Sequence, residues 1–200
     1  MNSQLFFIYD SHCPWSYATT ALVNSIHSAY PEMPMHLWHF AHYDGSDSAG
    51  KKQVDAVANQ SAVEFGEDYL DCSNVPQNAT LAANLMAWVS HKHPELALKV
   101  LTVLQQQHFI DNTPFTDKAD FSDIAEQFKL SPPGKVFKSE LTKDAEFALG
   151  EIGEMQDIIA TTAFPALMLA VGDRLVLLNH NLYLTKPDAI VEAVAQELNA

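Results

Sequence analysis

The chain has 200 residues, 48% of them hydrophobic, and a net charge of −14, with Arg174 as its one arginine. That length fits one domain, or one domain with a large insertion, and the apolar content suffices for a core without covalent staples. Nucleic-acid and anionic-membrane partners want clustered Arg and Lys, so the composition argues against both, and the acid excess reads as a solvated surface.

The N-terminus, MNSQLFFIYDSHC, has no basic leader region, no Ala-x-Ala cleavage site and an apolar run of only five residues. No later stretch approaches membrane-spanning length, so a cytoplasmic protein is expected. Its two cysteines are Cys13 and Cys72. In a reducing compartment a structural disulfide between them is not expected, whereas thiol chemistry at one of them stays open.

In chain order, Gln4 to Tyr9 (QLFFIY) is a short aromatic-rich apolar run of a length suited to a buried strand. Pro14 to Tyr30 reads as a helix, with Pro14 at a first position where its missing N–H costs nothing. Tyr17, Ala21, Leu22, Val23 and Ile26 supply its apolar face. YPEMP (30–34) stops it, and Met35 to Tyr43 (MHLWHFAHY) alternates histidine with apolar residues as a second strand. Strand, helix, strand is the opening of an α/β sheet.

From Gly45 to about Gly153 no strand is expected. Four stretches read as helical: SAVEFGEDYLD (61–71), 78–109, 115–130 and 144–160, with Asn78 and Ser122 as capping signals. SPPG (131–134) is a turn. Strand character returns in PALMLAV (165–171) and RLVLLN (174–179), which flank the hairpin signal Gly172-Asp173. Lys186 to Leu198 closes the chain as an amphipathic helix with Pro187 at its start.

The stretch DSHCPWSY (10–17) sets a cysteine at the strand-to-helix junction, and FPALMLAV opens a late strand on a proline. With the β-α-β, helical block, β-β-α order, these residues resemble the DsbA-like group of thioredoxin-fold proteins. YDSHCPWSY is similar to the D…CPWCY of FrnE-type proteins and to the D…SPYS of 2-hydroxychromene-2-carboxylate isomerases and kappa-class glutathione transferases. The resemblance implies an α/β, thioredoxin-like fold with a large all-helical insertion: residues 1–44 plus 154–200 form the thioredoxin-like domain and 45–153 the insertion. It implies a cis-proline at Pro165 lying beside Cys13, with the backbone of Phe164 offered to an extended peptide or glutathione. Homodimerisation is plausible by the same resemblance alone.

A cysteine at a helix N-terminus has its sulfur near unpaired N–H groups and the positive end of the dipole, which favours thiolate; an acidic Cys13 is therefore expected. Trp15 is expected at an exposed tip. Ser16 departs from the dithiol pattern, since a hydroxyl cannot resolve a mixed disulfide; it can donate a hydrogen bond to the Cys13 sulfur. Cys13 and Ser16 are the candidate catalytic residues, and His12, Pro14, Trp15, Phe164, Pro165, Asn179 and His180 the candidate substrate or glutathione contacts. The structural alternative for Cys13 is a buried apolar cysteine. For His12, a surface residue and a neighbour that tunes the thiol stand even, and Cys72 reads as a helix-end residue rather than a resolving thiol.

His36, His39 and His42 stand at three-residue intervals, which do not keep side chains on one strand face, so no metal site is expected. His91 and His93 belong to a helix end, and Trp38 and Phe40 to the core. The expected activity is thiol–disulfide exchange through a single nucleophilic cysteine, with glutathione as cosubstrate. The alternatives are a glutathione-dependent isomerase or transferase acting on a small aromatic or electrophile, and a non-enzymatic module that captures peptides along the Phe164–Pro165 edge.

Overall fold

The computed structural model describes residues 3–200; Met1 and Asn2, the start of the segment assigned to the thioredoxin-like domain, lie outside the described residues. Strand β1 (Ser3–Tyr9), helix α1 (Pro14–Ala29) and strand β2 (Met35–His39) form the opening unit, with β1 and β2 parallel and Phe7 opposite Leu37. β5 (Ala166–Val171) runs antiparallel to β1 on its other side and turns into β6 (Arg174–Leu177), giving the order β2-β1-β5-β6. The two-residue hairpin connection sets Gly172 at φ +57°, where a side chain would be strained.

Both faces of the sheet are covered, which is why QLFFIY does not alternate apolar with polar. Leu5, Phe7 and Tyr9 point into the main core with Leu22, Val23 and Ile26 of α1 and with Ile190 and Val194 of the closing helix (Ile190–Asn199). Phe6 and Ile8 point the other way, with Trp38 and Phe40, onto Ile152, Met155 and Ile159 of the helix Lys143–Ile159. The sheet is thus the middle of three layers.

Between β2 and β5 the chain is mainly helical: α2 (Lys51–Gln60), α3 (Glu67–Cys72), α4 (Thr80–Lys92), α5 (Ala97–Phe109), α6 (Ser122–Gln127) and α7 (Lys143–Ile159); α8 is the closing helix Ile190–Asn199. The expectation of no strand here is corrected. β3 (Asp44–Asp47) and β4 (Gln77–Asn78) pair antiparallel as a separate small sheet. Their sequences, DGSD and QN, are polar and without apolar alternation, so pattern reading has nothing to detect.

The helix expected over 61–71 starts only at Glu67, and α2, which lies before it, was not anticipated because only Val54 and Val57 of it are buried. Gly66 explains the break: its N–H donates to the Phe109 carbonyl, and a Cβ there would meet the Ile110 carbonyl oxygen at 1.9 Å. The long stretch 78–109 is two helices, divided at Pro94, whose ring cannot continue the hydrogen-bond ladder. Asn78 stands one residue ahead of the Ala79 cap, its side chain accepting from Thr80 N–H. Ser122 is inside α6 rather than at its cap; Asp117 supplies a capping box to the short 3-10 turn before it. Among the described residues no helix is long and apolar enough to cross a membrane.

Candidate active site

The loop Asp10–Cys13 connects the end of β1 to the start of α1, and all four of its residues are buried. Burying polar backbone in such a loop requires partners, and Asp10 supplies them. One carboxylate oxygen accepts from His12 N–H at 2.8 Å, and the other accepts from His42 N–H at 2.7 Å and Tyr43 N–H at 3.3 Å. Its carbonyl accepts from Cys13 N–H, and its own N–H donates to the Ser16 hydroxyl oxygen at 3.2 Å. One buried side chain therefore clamps the β1–α1 loop to the segment after β2.

A second network lies under the same loop. His39 Nδ1 accepts from Ala41 N–H at 3.0 Å, which assigns the ring proton to Nε2; that group donates to Ser11 Oγ at 2.7 Å. Ser11 N–H lies 3.1 Å from the same Nε2, but a protonated nitrogen cannot also accept, so the hydroxyl contact is the bond. Ser11 Oγ then donates to His12 Nδ1 at 2.9 Å, and His12 Nε2–H points to the Pro114 carbonyl at 3.3 Å. The His12 ring packs on His108, ring centroids 4.0 Å apart. His108 donates from Nδ1 to the Thr113 carbonyl, leaving its buried Nε2 without a partner.

His12 is thus fully buried, and the reading of it as a surface residue is overturned. Its pKa lies well below the ordinary imidazole range, because of burial first and the neighbouring His108 second. Burial likewise lowers His108, to about 4, and His39. The loop rests on neutral imidazoles.

Cys13 caps α1 with extended backbone (φ −87°, ψ 121°), and Pro14 takes the first helical position. The sulfur faces Trp15 N–H, Ser16 N–H and the Ser16 hydroxyl, all of which favour the thiolate. Ser16 can give its proton to sulfur because its oxygen already accepts from Asp10 N–H. Against these donors stands burial. Cys13 is 4% exposed, in a cluster with Tyr43 and Ala79 against which Trp15 and Phe164 pack. Burial dominates, with a smaller contribution from Asp10, and pushes the thiol up to about 11. The expected acidic thiol is therefore corrected: in this conformation Cys13 is protonated at neutral pH. Trp15 is also not an exposed tip, being half-buried against this cluster and the main core.

The Phe164–Pro165 peptide bond is cis. Phe164 stacks on Phe40, centroids 4.8 Å apart, so Phe40 joins the wall of the site as well as the core. Pro165 lines a groove of about 370 Å³ with Asn179 and His180, which brings these three candidates together; neither Cys13 nor Trp15 lines it. His180 is held below the usual imidazole range by burial, opposed by a hydrogen bond to the Leu178 carbonyl.

Cys72 is half-buried at the last position of α3, and both cysteines are free. Tyr69, one turn earlier on α3, lies within electrostatic reach of Cys13, as does Tyr43. Asp10, Ser11, His39, Tyr43 and His108 are the site neighbours that sequence reasoning missed. Only Asp10 left a signal, through its place in the quoted motif. His36, His39 and His42 have separate surroundings: His36 meets Gln4, His39 meets Ser11, and His42 lies 3.8 Å from Asp47.

No protein-family model matches the sequence, and no curated protein matches it. Solved structures do. The cytosolic disulfide reductase DsbM of Pseudomonas aeruginosa superposes with a TM-score of 0.82 over 98% of both chains, at 15% identity. Its structure with GSH gives 0.80 over 98% of this chain and 100% of that one, at 16% identity. The DsbA disulfide interchange protein of Klebsiella pneumoniae gives 0.54 over 98% of this chain and 88% of that one, at 14% identity. The chain therefore has the DsbA-like thioredoxin fold with its helical insertion.

Proposed function

We propose that the protein is a thiol–disulfide oxidoreductase that works through the single thiol of Cys13 and turns over with glutathione. The observation that carries this reading is the setting of the sulfur: it stands at the start of α1, facing two backbone N–H groups and the Ser16 hydroxyl, in one cluster with Phe164. The shared fold with DsbM, whose structure with GSH is known, supports the glutathione link. A cytoplasmic location goes with it, since a one-thiol enzyme needs reduced glutathione at hand.

With a mixed disulfide between a substrate thiol and glutathione, the Cys13 thiolate attacks the glutathione sulfur. A Cys13–glutathione disulfide forms as the old S–S bond breaks, and the substrate leaves as a thiolate that takes a proton from water. Ser16 cannot resolve this adduct. A second glutathione thiolate does, forming oxidised glutathione and expelling Cys13 as a thiolate. The Trp15, Ser16 and hydroxyl donors then hold that charge. His12, Pro14 and Trp15 shape the loop and its rim, and Phe164, Pro165, Asn179 and His180 offer the surface for the rest of the substrate.

A thiol near pKa 11 is ionised only to about one part in 10⁴ at neutral pH. Since burial is the largest cause, displacing Tyr43 and the Ala79 segment rehydrates the sulfur and leaves the lowering donors in command. Substrate docking is the natural trigger. Residues 45–153 then act as the insertion that carries the Ala79 part of this cover, with Tyr43 in the segment that leads into it.

The test is mass spectrometry after incubation with oxidised glutathione, using the protein and its Cys13→Ala and Cys72→Ala variants. An adduct confined to Cys13 is expected. No adduct at Cys13, or a stable Cys13–Cys72 bridge, overturns the one-thiol route.

The protonated state of Cys13 favours a second reading, a glutathione-dependent isomerase or transferase. A neutral buried thiol can donate a hydrogen bond to the thiolate of bound glutathione without being oxidised. Calorimetry separates the two: saturable binding of reduced glutathione, with no adduct formed from the oxidised form, selects this reading.

A further inference from the structure

We propose that the protein carries a second small-molecule site, for a planar aromatic carboxylate, between the free edge of β2 and helices α4 and α7. The site is independent of the thiol chemistry. β2 is the outermost strand of the sheet, and its residues Met35 to Trp38 form one wall of a cavity of about 530 Å³. Trp38 and His36 present rings 5.9 Å apart. His36 is held in place by a 2.8 Å hydrogen bond from its Nε2 to Gln4 and by stacking on Phe6. Phe147 of α7, 70% exposed, lines the same cavity. An aromatic ring between these side chains would cover all three.

The polar end of the site is cationic. Lys143 lines this cavity and also a neighbouring one of about 370 Å³, which Lys135 and Lys138 line with it. Of the three, Lys143 alone lines the proposed cavity, beside Asp144, and Lys135 and Lys138 extend the positive charge into the neighbouring one. Among the described residues none of them is in a salt bridge, and they outnumber the carboxylates of the two linings, Asp144 and Glu140.

The loop that carries Lys138 and leads into Lys143, the first residue of α7, is built rather than loose. The fully buried Asn84 of α4 donates to the carbonyls of Lys138 and Glu140 and accepts from Thr142 N–H at 2.8 Å. The Ser90 hydroxyl in the cavity lining is buried without a partner, a hydrogen-bonding position that a ligand oxygen would fill. Apolar rings with a few convergent polar groups are the usual make-up of a ligand cavity.

Titration with 1-naphthoate, followed by tryptophan fluorescence and calorimetry, tests the assignment. Saturable binding is expected, with the fluorescence change absent in Trp38→Phe. Lys143→Met weakens binding roughly fivefold, the size of a half-exposed ion pair. Phe147→Ala, a surface change that leaves the fold intact, weakens it as well, and Cys13→Ser leaves it unaltered. No saturation, equal binding of neutral 1-naphthalenemethanol, or indifference to both Lys143→Met and Phe147→Ala overturns the proposal. Loss of binding in Cys13→Ser also overturns it, by placing the probe at the thiol.

Discussion

The underside and the cover of Cys13 are built in opposite ways. Beneath it, Asp10, Ser11, His12 and His39 are buried and tied into hydrogen-bond networks that reach from β1 to β2 and the loop before Phe115. Above it, Tyr43 and Ala79 close over the sulfur, joined to each other by one backbone bond, Ala79 N–H to the Tyr43 carbonyl, with Tyr43 N–H also donating to Asp10 and the Ala79 carbonyl accepting from Ala83 N–H. They continue into β3 and β4, a two-stranded sheet whose β3 residues are all exposed. A two-stranded sheet is marginal by itself. The thiol is therefore fixed from below by a buried network, whereas its cover runs directly into an exposed two-stranded sheet.

Removing Asp10 is the severest way to break this contrast. Asp10→Ala leaves the N–H groups of His12, His42 and Tyr43 buried without their acceptor. A loss of about 3–5 kcal/mol is expected in urea unfolding. Asp44→Ala, at an exposed position of β3, should cost under about 0.5 kcal/mol. Equal losses at the two sites would abolish the distinction between underside and cover.

The next effect is pH. His12, His39 and His108 are neutral in the fold because burial lowers their pKa values, His108 to about 4. The unfolded chain binds protons at these residues near pH 6.5, whereas the folded chain does not. Stability is therefore at its plateau above pH 6.5 and falls as the pH drops toward 4. His108→Gln should flatten part of that fall in unfolding curves taken from pH 7 to 4. A variant that keeps the full slope would remove His108 from the account.

The same contrast explains what was legible in the sequence. QLFFIY, Pro14 and PALMLAV are read easily because local pattern and burial agree on sheet and helix. Cys13 and Pro165 are found because a short motif marks each. The underside is invisible by comparison: His39 reaches Ser11 across 28 positions and His108 reaches His12 across 96, and no spacing announces it. The thiol's protonation was misjudged for the same reason. The helix start that lowers it is local, whereas the burial that outweighs it comes from Tyr43, Ala79 and Phe164, brought in by tertiary packing.

Loosening the cover should sharpen the comparison at the sulfur itself. In Tyr43→Ala the thiol regains water, so the pH midpoint of Cys13 alkylation should fall from about 11 toward or below that of a free thiol. Iodoacetamide labelling at neutral pH should speed up accordingly, alongside the loss of about 3–5 kcal/mol of stability that emptying a buried aromatic site brings. A midpoint that does not move would mean that Tyr43 is not what keeps the sulfur dry.

The smallest effect separates Ser16 from Cys72. Ser16→Ala removes one of the three donors that favour the thiolate and leaves the Trp15 and Ser16 backbone N–H groups in place. It also leaves Asp10 N–H without its acceptor, so a modest loss of stability accompanies it. The alkylation midpoint should rise by about one pKa unit, the worth of one hydrogen bond to a charged group. Cys72→Ala, at the half-buried end of α3, should change neither the midpoint nor turnover with glutathione. If instead Cys72→Ala slowed turnover and Ser16→Ala did not shift the midpoint, the second thiol would come from α3 and the hydroxyl would be only a strut for the Asp10 loop.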